Sequence, residues 1–230
     1  ARDLRRLRSR DDGADLGLAL VPSLTGPREE LATEIMPRGI YGPSLNASLQ
    51  DAIWEAGRRV VRGEVVNMPA FFPAQTDWML IGPFANREQR GLATVYPPEQ
   101  NLDLHAELDG LEGKVHWTEY HCPSGSVMVN LAKQFKPSEE VCAYALCFAK
   151  AGQPRTVQFR VSGNDVWKLW VGGKLVHESG DEGRMILDRE ILPVSLPAGT
   201  TPILMKVCNN KRDWGFMLRI TDRNGKPVPG

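Results

Sequence analysis

The chain has 230 residues, 42% of them hydrophobic and 24% charged, which is globular composition and enough for one large domain or a β domain beside a small helical one. Its 28 Lys and Arg balance 28 Asp and Glu, so no global field gathers phosphate backbones or anionic lipid, and nucleic acid is not an expected partner. No run approaches the roughly 18–20 apolar residues needed to cross a bilayer, and the Arg-rich start lacks the apolar core of a signal peptide, so no transmembrane segment is expected and the chain reads as soluble.

The opening at Ala1 rather than Met reads as a mature product or a piece of something longer. The basic stretch at 4–10, LRRLRSR, is bracketed by Asp3, Asp11 and Asp12 and reads as a solvated helical face. An apolar run at 16–20 and a segment from Pro27 through Glu29, Glu30, Leu31 and Ile35 predict short helices, the second with acids where the helix dipole favours them. Residues 44–62 place Leu45, Leu49, Ile53, Ala56 and Val60 on one stripe, with Ser44 as N-cap, Arg58 and Arg59 toward the C-terminus, and Gly63 as a stop. Residues 1–65 thus form a predicted helical lead-in, of the kind that ends a helical repeat region. Helices this short need partners: each other, the β domain, or helices that precede Ala1.

The period changes near residue 66. Residues 66–76 contain two prolines and read as a linker, and residues 77–230 read as a β domain. Strands are expected at about 77–82, 113–120, 127–132, 139–149, 154–162, 166–171, 174–178, 185–195, 202–208 and 214–221, with no helix between them. That pattern predicts a mostly β fold, an antiparallel β-sandwich of the jelly-roll kind. One hairpin can be registered from sequence. Gly172 and Gly173 form a two-residue type I′ loop, which pairs Val171 with Lys174, Trp170 with Leu175, Leu169 with Val176 and Lys168 with His177. Apolar pairs then fall on both faces, so the outer face needs a cover from the second sheet, the helical lead-in or a partner.

The cysteines Cys122, Cys142, Cys147 and Cys208 lack the spacing of zinc or thioredoxin-type sites. Cys142 and Cys147 point to opposite faces of one strand and cannot bridge each other. Buried free thiols are the expectation, with a bridge from one of them to Cys122 or Cys208 as the open alternative.

The segments DWMLIGPF (77–84), GLATVYPPE (91–99), CAYALCF (142–148), SGNDVWKLWVGGKLVHE (162–178), LPAGT (196–200) and LMKVCNNKRDWGFMLRITDRNGKPV (204–228) resemble a family of bacterial jelly-roll modules of the galactose-binding-like class. These modules are relatives of sugar-binding domains attached to glycoside hydrolases, and they often follow helical repeats in large secreted or envelope proteins. The resemblance spans about residues 77–228, its most specific part being the ordered set GPF, YPPE, W-V-G-G-K and W-G-F-x-L-R. It implies a binding module placed extracellularly, in the periplasm or at the envelope rather than in the cytoplasm. The class also hosts protein-interaction modules and spacers. In place of the acidic pair and glycine of calcium-dependent, protective-antigen-type sugar binders, this sequence has Asn164-Asp165, so no calcium set is carried over.

Neither the histidines nor the acids build a catalytic or metal site. His116 and His121 fall on opposite strand faces, His105 and His177 lie in other segments, and Asp181-Glu182 reads as a solvated turn. No catalytic residue, metal ligand or cofactor is expected. Aromatic side chains suit a sugar binder, since sugar rings stack on exposed Trp and Tyr faces. Trp214, Phe216 and Leu218 share one expected core face and Trp167, Leu169 and Val171 another, leaving Trp170 as the residue expected outside, as a ligand platform or as a contact with the helical segment. If successive strands alternate, the loops at 162–165, 178–184 and 209–213 emerge at one end and the Gly172-Gly173 turn at the other. The expected ligand-binding set is therefore Asn164, Asp165, Asp181, Arg184, Asn209, Asp213 and Trp214, with Trp170 apart. The sequence reads as a non-catalytic accessory module binding a glycan. Its alternatives are a structural or protein-interaction domain that contacts other domains or subunits of an assembly, and a fragment of an enzyme whose catalytic domain lies elsewhere.

Overall fold

A computed structural model describes residues 62, 73–123, 126–180, 185 and 187–228. The helical lead-in, most of the linker, and Asp181, Glu182 and Arg184 lie outside the described residues.

Alternating burial along the strands comes from two antiparallel sheets packed face to face. Twelve strands are described: β1 (Asp77–Ala85), β2 (Leu108–Asp109), β3 (Lys114–Val115), β4 (Thr118–His121), β5 (Val129–Asn130), β6 (Val141–Ala151), β7 (Arg155–Gly163), β8 (Trp167–Val171), β9 (Lys174–Glu178), β10 (Glu190–Leu196), β11 (Gly199–Asn209) and β12 (Gly215–Thr221). A six-stranded sheet runs β4-β1-β6-β11-β8-β9, a four-stranded sheet runs β10-β7-β12-β5, and β2-β3 form a separate hairpin. This is the expected antiparallel β-sandwich. Between the sheets lie Trp78, Leu80, Ala145, Cys147, Leu169 and Met205 from one side and Phe159, Val161, Phe216 and Leu218 from the other, all buried. Trp78 and Phe216 meet edge to face across the gap, ring centroids 4.9 Å apart. Residues 73–76 lead into β1 along the sandwich, where the Gln75 amide donates to Leu218 O at 2.8 Å and Cys122 N donates to Thr76 O at 2.9 Å.

The outer face of the six-stranded sheet carries a second apolar layer of Ile81, Phe84, Tyr144, Leu146, Leu204 and Cys208. The long connection from β1 to β4, bringing Leu92, Tyr96, Leu104, Leu108 and Trp117, covers it. This cover comes from a connection inside the β domain, which was not among the covers expected from sequence. It is pinned by Lys206, which is fully buried on β11. Its Nζ donates to Glu99 Oε1 at 2.7 Å, Thr94 O at 2.5 Å and Leu92 O at 3.3 Å, and it sits 5.1 Å and 5.6 Å from the Tyr96 and Tyr144 ring centroids. Tyr144 also donates its hydroxyl to Glu99 Oε1. Burial together with the Glu99 carboxylate pushes the Tyr144 phenol well above its usual range.

Several boundaries differ from expectation. The stretch read as one strand at 113–120 splits into β3 and β4, that at 127–132 shortens to β5, and β10 begins only at Glu190. Two single-turn α-helices and a 3₁₀ turn at Arg87–Gln89 interrupt the strands among the described residues. α1 (Pro97–Gln100) starts on two prolines whose missing N–H groups suit the first helical positions, and α2 (Leu131–Gln134) is capped by Asn130, whose side chain accepts from Lys133 N at 3.0 Å.

The hairpin register holds for Val171 with Lys174 and Trp170 with Leu175, then breaks. A bulge at Val176 pairs Leu169 with His177 and Lys168 with Glu178, in place of the expected Leu169 with Val176 and Lys168 with His177. The extra residue turns His177 onto Trp167, with ring centroids 4.8 Å apart, and leaves Val176 exposed on the edge. The turn itself has φ of 57° at Gly172 and 77° at Gly173, both left-handed. Gly172→Asn should therefore leave the melting temperature nearly unchanged, whereas Gly173→Val should destabilise by about 1–3 kcal/mol, because a β-branched residue is strained at positive φ. Equal melting temperatures for the two variants would contradict the turn geometry.

Candidate functional site

Pairing brings five loops to one end of the sandwich. β1 ends at Ala85 opposite Val141, β11 ends at Asn209 opposite Val141, β7 ends at Gly163 opposite Phe216, and Glu178 of β9 pairs with Lys168 near the start of β8. The loops at 86–91, 136–140, 164–166, 179–180 and 210–214 therefore share that end, and the Gly172-Gly173 turn lies at the other, where Gly172 N donates to Pro202 O at 2.9 Å. Of these, the 86–91 and 136–140 loops were not anticipated. They follow from β1 and β6 being neighbours, which a strand list without pairing does not reveal.

The loops are tied to one another by main-chain groups. Asp165 Oδ2 accepts from Asn210 N at 2.8 Å, Glu140 N donates to Asn210 O at 2.9 Å, Asn86 N donates to Glu140 O at 2.7 Å, and Asn164 N donates to Gly215 O at 3.1 Å. Asn86 Nδ2 donates to Asn209 O at 3.0 Å, joining the 86–91 loop to the end of β11. Backbone strain collects here as well. Glu88, Gln89, Glu140, Asp165 and Arg212 all have left-handed φ, between 49° and 72°, and among the described non-glycine residues Asp188 alone adopts such φ outside these loops. A residue with a Cβ in this region costs about 1–2 kcal/mol, so the surrounding hydrogen bonds must hold the loops in place.

The predicted site residues separate into three groups. Asn164 and Asp165 sit half-buried and Asp213 exposed at the loop end, with Lys211 and Arg212 exposed beside Asp213. Asn209 and Trp214 are at the same end but buried, which corrects their reading as ligand contacts. Asn209 Nδ2 donates to Ser138 O at 2.5 Å while its Oδ1 is buried without a donor, and Trp214 Nε1 donates to Val207 O at 3.2 Å with its ring against Phe135. A Trp that spends its N–H on a strand carbonyl and its face on the core presents no stacking surface. Trp170 lies away from the loop end, half-buried on the outer face of the six-stranded sheet between Leu204 and Leu175. It belongs to the apolar layer under the cover and is no part of the polar cluster. Asp181 and Arg184 fall outside the described residues.

Beside the turn at 187–189 lies a buried charged cluster that was not among the expected site residues. Asp188, from the turn before β10, reaches the outer face of the four-stranded sheet. Its Oδ2 accepts from Arg219 Nη1 at 2.6 Å and Arg160 Nη1 at 3.0 Å, and its Oδ1 accepts from Arg219 Nη1 at 2.8 Å. All three side chains are buried, and Arg160 also donates to Thr221 Oγ1 at 3.0 Å and Gln158 Oε1 at 2.9 Å. The saturation of Arg160 marks the cluster as an internal anchor for the turn before β10. The one sequence signal is that Arg160 and Arg219 alternate with core residues on directly paired strands.

Among the described residues no group of three or more His, Cys, Asp and Glu side chains is arranged to hold a metal, and no helix is long and apolar enough to cross a membrane. No protein-family model matches the chain, and no curated protein matches it. Among solved structures, the chain is similar to the PA14 domain of the antifreeze protein MpAFP (13% identity, 36% of this chain and 44% of that one, TM-score 0.30). It is also similar to a β-glucosidase from Kluyveromyces marxianus (9% identity, 63% and 16%, TM-score 0.39) and a β-glucuronidase from Faecalibacterium prausnitzii (14% identity, 59% and 20%, TM-score 0.34). The chain spans less than half the length of each of these solved chains.

Proposed function

We propose that this chain is a non-catalytic accessory module that binds a carbohydrate at the loop end of its β-sandwich, within a larger bacterial secreted or envelope protein. The observation that carries the reading is the convergence of five loops, four of them holding left-handed non-glycine residues, around the 210–214 loop, which exposes an ammonium, a guanidinium and a carboxylate in Lys211, Arg212 and Asp213. Non-glycine residues held in left-handed conformations by their neighbours are a recurrent mark of binding sites, because a loop fixed before binding loses little entropy when the ligand arrives. Amide, acid and guanidinium groups are the donors and acceptors that a sugar hydroxyl array needs.

Glycan-array retention of the fluorescently labelled chain tests it. The wild type should be retained on a restricted set of glycans, and Lys211→Ala/Arg212→Ala should lose at least tenfold in affinity. Its melting temperature should shift little, since exposed loop substitutions usually change stability by less than about 0.5 kcal/mol. Retention on no glycan, or equal retention of both proteins, would refute the proposal.

A specific observation also favours the protein-interaction alternative. Among the described residues β9 is an edge strand with Leu175 50% and Val176 41% exposed. Two neighbouring exposed apolar side chains of this kind offer a contact to a partner surface. Retention on a protein ligand that is abolished by Leu175→Lys and untouched by the loop variant would support that reading instead.

A further inference from the structure

Cys142 and Cys208 are direct partners across the β6-β11 pair, both fully buried, with their Sγ atoms 2.8 Å apart. That separation is inside the van der Waals contact of two sulfurs and within about 0.8 Å of a covalent disulfide. The other cysteines are placed differently: Cys147 faces the core between the sheets, and Cys122 lies beyond β4 with its thiol toward Met128 O at 3.5 Å. We infer that Cys142 and Cys208 form an oxidisable pair that closes into a cross-strand disulfide, directly beneath the loop end. Each lies one residue inside its strand terminus, β6 opening at Val141 and β11 closing at Asn209, so the bond would tie together the roots of the 136–140 and 210–214 loops.

The surroundings decide when the bond can form. The 86–91 loop closes over the pair so tightly that a Cβ on Gly91 would come within 2.3 Å of Cys142 Sγ. Burial, reinforced by the hydrogen bond with Cys208, pushes the Cys142 thiol far above its usual range, which disfavours its thiolate while the 86–91 loop is closed over it. Oxidation then proceeds during folding or when that loop opens. The thiolate of one cysteine attacks a small disulfide such as glutathione disulfide, whose S–S bond breaks and whose leaving sulfur takes the electron pair and a proton. The second cysteine gives up its proton and attacks the mixed disulfide, releasing the second glutathione. Two cysteine thiols are oxidised, and one glutathione disulfide is reduced to two glutathione molecules.

The full chain is unfolded in guanidinium, refolded in a glutathione and glutathione disulfide buffer, quenched in acid, then unfolded with iodoacetamide and mapped by mass spectrometry. The expected result is alkylation of Cys122 and Cys147 only, together with a linked peptide pair containing Cys142 and Cys208. The Cys122→Ser/Cys147→Ser variant should give the same linked pair. The bridged protein should melt several degrees above the same sample kept in reductant, since the loop between the two cysteines is long. Four alkylated cysteines, a bridge to Cys122 or Cys147, or a bridged form that melts lower than the reduced one would each overturn the inference.

Discussion

Asp188→Ala is expected to destabilise the fold by about 3–5 kcal/mol, enough to leave a domain of ordinary stability largely unfolded. The carboxylate is buried between two guanidiniums, each within 3.0 Å of its oxygens. Removing it leaves two like charges facing each other in a region sealed from water, so the loss contains both a desolvation penalty and a new repulsion. Asp188→Asn keeps the shape but not the charge and should recover little. Urea denaturation followed by fluorescence of the buried tryptophans reads the effect. A shift under about 0.5 kcal/mol would mean that the two arginines reach other anions and that the cluster does not anchor the turn before β10.

Lys206→Met should cost about 3 kcal/mol, somewhat less than Asp188→Ala. The stem of Met fills most of the space of the Lys chain, and the stranded Glu99 keeps some contact with water, its side chain being 9% exposed. The carbonyls of Leu92 and Thr94 lose their ammonium donor at the same time, so the connection over the outer sheet face should loosen. Near-ultraviolet circular dichroism from Tyr96, Tyr144 and Trp117 should weaken, while the far-ultraviolet β signal persists. Adding Glu99→Gln to Lys206→Met should recover part of the loss, because a buried carboxylate without its cation is the costly partner. Additive losses in the double variant would show that the two groups act independently.

Both clusters mark the limit of what was legible in the sequence. Strand existence, the two-faced burial of β8 and the Gly172-Gly173 turn follow from period and local turn chemistry, which are properties of neighbouring residues. The shared end of the 164–166, 179–180 and 210–214 loops follows from counting strand reversals. Lys206 and Asp188 do not, because a single charge in a strand or turn acquires its role from segments far along the chain: Glu99 is 107 residues from Lys206, and Asp188 is 31 residues from Arg219. Lys206 did leave a faint signal, since it shares a strand face with Leu204 and Cys208, an apolar setting that a solvent-facing lysine would not have. Trp214 and Asn209 were misread for the reverse reason. Polarity and aromaticity near a loop suggested exposure, whereas Asn209 is the last residue of β11 and Trp214 immediately precedes β12, which places both under the loops. The register slip at Val176 is a bulge, which no count of alternating residues anticipates.

Amide chemical-shift mapping of the isotopically labelled chain against the best glycan from the array addresses the site most directly. Binding at the loop end predicts perturbations concentrated at 164–165 and 210–213, with the Gly172-Gly173 turn and β9 unmoved. Shifts confined to Trp170, Leu175 and the Gly172-Gly173 turn would contradict the assignment and place the binding surface on the outer sheet face instead.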